Sequence, residues 1–173
     1  MKILNQQIFE NREAAALPGL MESGGLPALV SGLSGIHRVN LAAALYERLE
    51  LPLLIVCPDD SAAESFSRDL EAMTGEKVNT LYSRDFTFYS SLAASREAEQ
   101  KRLYVLNALR CGESPLTVAT VSALMQRTIP PQTLIKAAFT VKDGESCPPE
   151  ELERALVRCG YTRCEQVEGA GQF

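Results

Sequence analysis

Residues 51–60 read LPLLIVCPDD, and the fold follows from how this stretch is taken. Seven nearly unbroken apolar residues are strand length. A strand apolar at every position, rather than at alternate ones, is the pattern of a parallel sheet covered on both faces. Leu54, Ile55 and Val56 are therefore expected to be buried. Pro58-Asp59-Asp60-Ser61 then opens a helix, with Asp or Ser as its cap, and Ala63, Phe66, Leu70 and Met73 mark one face of it up to Gly75.

The same alternation runs outward in both directions. Upstream, Ala28–Val30 reads as a short strand, Ser31–Gly35 as a turn, and Val39, Leu41, Ala42, Leu45 and Leu49 as a helix. The stretch to Leu20 has a polar helical look, broken at Pro18-Gly19. Downstream, Val78–Tyr82 is a third strand and Ser83–Leu92 a polar-aromatic loop. A helix covers about Ser95–Leu109, closed by Cys111-Gly112. Leu116–Thr120 is a fourth strand, followed by a short helix with Leu124 and Met125. The fold class is α/β: a mainly parallel sheet flanked by helices. Pro130-Pro131 breaks the rhythm. Beyond it, Phe139–Lys142 reads as a strand, Lys142-Asp143-Gly144 as a turn, Pro148–Cys159 as a helix and Tyr161–Val167 as a strand, the start of a second small α+β module. The expected divisions are 1–25, 26–137 and 138–173.

Composition narrows the function. Hydrophobic residues make up 46% and charged residues 23%, which argues for a globular chain rather than a disordered one. No apolar run is long enough to cross a bilayer, and the N-terminus lacks the pattern of a secretory signal, so the expected location is the cytoplasm, with no membrane partner. A net charge of −5 counts against a nucleic-acid-binding domain. Arg96, Lys101, Arg102 and Arg110 make one stretch locally basic, best read as a solvated helix face. The cysteines, at 57, 111, 147, 159 and 164, are odd in number and lack C-x-x-C spacing, and His37 is the lone histidine. They read as reduced thiols, Cys57 as core, with no metal site.

The chemistry-bearing question is the turn before the first long helix. A phosphate loop, G-x-x-x-x-G-K-S/T, needs its glycines for backbone approach to phosphate, its lysine for the terminal phosphates and its hydroxyl for magnesium. Registered on Gly32, this chain keeps Gly32 and Gly35 as scaffolding. It places His37 at the second glycine, Arg38 at the lysine and Val39 at the hydroxyl. His37 disfavours positive φ. Arg38 replaces a compact ammonium by a planar fork. Val39 offers no oxygen. No nucleotide cofactor is expected there. Asp59-Asp60 resembles a Walker B pair, but an acidic helix start explains it without a ligand. His37 has no triad partners nearby in sequence.

LPALVSGLSG (26–35), LLIVCPDDSAAESFSRDLEAMTG (53–75), SSLAASREAEQKRLYVLNAL (90–109) and PLTVATVSALMQRTIPP (115–131) together resemble the N-terminal region of bacterial transcription-repair coupling factors, itself similar to the excision-repair protein UvrB. TVATVSALMQR and the closing GYTRCEQVEGAGQF are the most specific parts. The resemblance implies a UvrB-like, non-enzymatic interaction module whose phosphate loop is degenerate, where UvrB keeps a working one. It implies UvrA as partner, contacted mainly beyond Phe173. It also implies that RNA polymerase binding and ATP-driven translocation on DNA belong to other domains of a longer protein. A homodimer through an unpaired edge at 161–167 is a side expectation. Two other readings stand beside it: a small P-loop-like NTPase with an atypical loop, and a DNA-binding domain.

Overall fold

In the computed structural model, residues 7–83, 96–144, 146–169 and 171–173 are described. The predicted loop at 83–92 lies, beyond Ser83, outside them. The elements are α1 (Arg12–Glu22), α2 (Gly35–Leu49), β1 (Leu53–Cys57), α3 (Asp60–Thr74), β2 (Asn79–Leu81), α4 (Arg96–Cys111), β3 (Leu116–Thr120), α5 (Val121–Met125), α6 (Pro131–Ala137) and α7 (Pro149–Arg158), with a 3-10 turn at Ile8–Glu10. The chain divides into two compact units, Met1–Ser83 with Cys111–Met125, and Arg84–Arg110 with Gln126–Phe173.

The first unit carries an all-parallel three-stranded sheet in the order β1-β3-β2. Ile55 and Thr80 both stand opposite Val118, so β3 is the centre. Leu53, Ile55, Cys57, Leu116 and Val118 share one face, since side chains alternate along a strand. That face packs against Val39 and Ala43 of α2 and Ala63 and Leu70 of α3. Ser67 and Thr80 share a 2.7 Å hydroxyl hydrogen bond that ties α3 to β2. On the other face a buried polar chain runs from the Asn79 amide, which donates to Ser114 Oγ at 2.8 Å, to the Thr117 hydroxyl at 2.8 Å from Ser114. Each member has a partner, as burial of polar groups requires.

The helix ends follow the sequence. Asp59, extended at φ −145°, accepts the Ala62 N–H at 2.8 Å, and Gly75 closes α3 at φ +74°. α2 ends instead on Glu50, which takes the left-handed conformation at φ 52° without being glycine.

Five expectations need correction. Ala28–Val30 pairs with no strand among the described residues, and Leu29 is 94% exposed; a run of strand-forming residues becomes a strand only beside a partner. Leu54 and Val56 are 54% and 50% exposed, not buried, because β1 lies at the sheet edge and its second face is open; Ile55 is partly buried against the core. α1 runs through Pro18-Gly19 rather than breaking there. Its ends are held by Asn11, which accepts from Glu13 and Ala14, and by Gly25 N–H donating to Leu20. Arg102, read as solvated, is 7% exposed: helical periodicity alone does not tell which side of α4 is covered. Phe139–Lys142 and Tyr161–Val167 are not strands. The first belongs to no strand among the described residues, and the second makes a single parallel bridge, Thr162 to Gln172.

The second unit contains α4, α6 and α7. The Cys159 thiol at the end of α7 donates to the Ala137 carbonyl at the end of α6, at 2.8 Å. The Gly144 turn has φ +82°, as its K-D-G sequence requires.

Candidate functional site

The turn that leads into α2 is built by two local rules. Gly32 sits at φ +80°, a conformation that a β-carbon disfavours although open space surrounds it. Gly35 has neither a positive φ nor a neighbour within 4 Å of an added β-carbon, so nothing in the turn demands glycine there. Ser34 takes the N-cap position in an extended conformation, but its hydroxyl caps no backbone N–H. It shares a 2.9 Å hydrogen bond with His37 Nδ1 instead. The Ser34 carbonyl accepts the Arg38 N–H at 3.1 Å. The N–H groups of Gly35, Ile36 and His37 precede the first intrahelical bond and face outward, the ordinary state of a helix start.

The three positions that differ from a phosphate loop part company in space. His37 is exposed and held by Ser34. Arg38 folds back: its Nε donates to the Leu33 carbonyl at 3.2 Å, so the guanidinium braces the turn. Val39 turns the other way and is 2% exposed, packed in the core beside Ala43 and Cys57. The residue in the magnesium-hydroxyl position thus faces the sheet. His37 and Arg38 stay with Gly32 and Gly35 at the turn, and Val39 leaves it.

Asp59, the first of the Walker B-like pair, uses its carboxylate to cap α3, as the sequence predicts. Cys57 lies in the core; burial pushes its thiol pKa up, and the Asp59 carboxylate adds to the shift. Among the described residues no three His, Cys, Asp or Glu side chains come together as a metal site.

Sequence reasoning missed two contacts. Ser34 and His37 stand three apart across a helix start, the spacing of a capping box, and that spacing was the available signal. Tyr46 donates its phenol to the Glu76 carboxylate, which lies thirty residues on and left no local trace. That hydrogen bond, helped by burial and by the charge of Glu76, raises the Tyr46 pKa to about 12.

Two clefts border the turn. One, about 290 Å³, lies between Val30–Leu33, α2 and Leu53. The other, about 390 Å³, lies between the start of α2, the end of β1 and α3. Arg38 lines both.

A small all-parallel sheet flanked by helices, one of them rising from a glycine-bearing turn, defines the class as α/β and is compatible with a helicase-like layer. No protein-family model matches the chain. Among known proteins it is similar to the transcription-repair-coupling factor of Bacillus subtilis strain 168, 31% identical over 168 residues, covering 96% of this chain and 14% of that protein. It is also similar to the transcription-repair-coupling factor of Myxococcus xanthus, 30% identical over 150 residues, covering 82% of this chain and 12% of that protein. UvrABC system protein B of Thermobifida fusca is 25% identical over 167 residues, covering 88% of this chain and 24% of that protein. The resemblance read from the sequence is therefore borne out: along most of its length the chain is similar to transcription-repair coupling factors and to UvrB. It spans 14% or less of the length of these two coupling factors. No helix among the described residues is long and apolar enough to cross a membrane.

Proposed function

We propose that this chain is a non-catalytic, UvrB-like interaction module of a transcription-repair coupling factor, serving to recruit UvrA during transcription-coupled excision repair. The similarity to both protein kinds supports the setting. The observation that carries the non-catalytic reading is the burial of Val39, 2% exposed, at the position where a phosphate loop presents its magnesium-binding hydroxyl. Arg38 fits the same reading, because its Nε already serves the Leu33 carbonyl. In this proposal residues 26–137 form the helicase-like layer and 138–173 open the UvrA-binding part.

Calorimetric titration with magnesium-ATP tests the absence of nucleotide chemistry. No saturable heat is expected. Micromolar binding that requires magnesium and is lost in Arg38→Ala would overturn the reading. Sulfate or phosphate at the turn would not, because helix starts attract anions generally. The partner is tested by capture of the chain on immobilised UvrA, beside a longer N-terminal stretch of the same factor. The longer stretch is expected to bind more tightly, since a few residues dominate most interfaces. Equal capture would place the main contacts within these residues, and no capture by either would remove UvrA as the partner.

A further inference from the structure

We draw no further inference here: the strongest candidate, the cleft of about 460 Å³ that Glu47, Glu50 and Glu76 line between the end of α2 and the amino ends of β1 and β3, is an acidic cluster, and no second observation among the described residues points to a ligand in it.

Discussion

Tyr46 shows how much one contact changes at the scale of a residue. Its phenol donates a hydrogen bond to the Glu76 carboxylate, and ionising that phenol would set two negative charges against each other. The pKa is accordingly raised from 10.0 to about 12. A raised folded pKa means that the contact stabilises the fold fully below about pH 10 and loses its contribution as pH climbs from about 10 to 12. Ultraviolet titration of tyrosinate should show one tyrosine ionising last, and Tyr46→Phe should remove that final step. A last step that persists in the variant would assign it to another tyrosine. The turn teaches a related lesson. That His37, Arg38 and Val39 depart from a phosphate loop was legible from register alone. Where each side chain went was not. Val39 is in the core because α2 turns that side toward β1, and Arg38 reaches back to Leu33 because a free carbonyl lay within reach of its planar fork.

At the scale of elements, α3 and β3 were readable because their signals are local. Asp59 before an apolar-periodic stretch and Gly75 after it mark a start and a stop by backbone chemistry alone. Asp59→Ala should cost about 1 kcal/mol in urea unfolding, the worth of a typical N-cap. A change near zero would show that another group satisfies Ala62 N–H. β1 was readable as a strand but its burial was not. An apolar run says nothing of which neighbours arrive, and both Ala28–Val30 and Leu54 depend on neighbours. The contrast is measurable. Leu116, fully buried at the centre of the sheet, should cost about 2–5 kcal/mol on truncation to alanine. Leu54→Ala should cost under about 1 kcal/mol, within the range of half-exposed sites. Equal losses would mean that the outer face of β1 is covered in solution.

The whole molecule is ordered by a central strand that comes last. β1 and β2 both pair with β3 and not with each other. Fifty-eight residues stand between the end of β1 and the start of β3, so the sheet is made only of distant partners. During synthesis the chain would therefore leave the ribosome with two strands already made and no hydrogen-bonding mate for either. The entropy lost in closing such loops comes before any contact offsets it, so sheet formation should be slow and late. Pulsed hydrogen exchange during refolding from urea can watch this directly. The amides of β1 and β2 should gain protection together, at the moment β3 does, while α2 and α3 are free to form earlier. Strand protection in two separate steps would mean that one edge docks on β3 ahead of the other. Until β3 arrives, LLIVC travels as bare apolar chain, and a ribosome-bound chaperone has its clearest claim on this protein in that interval.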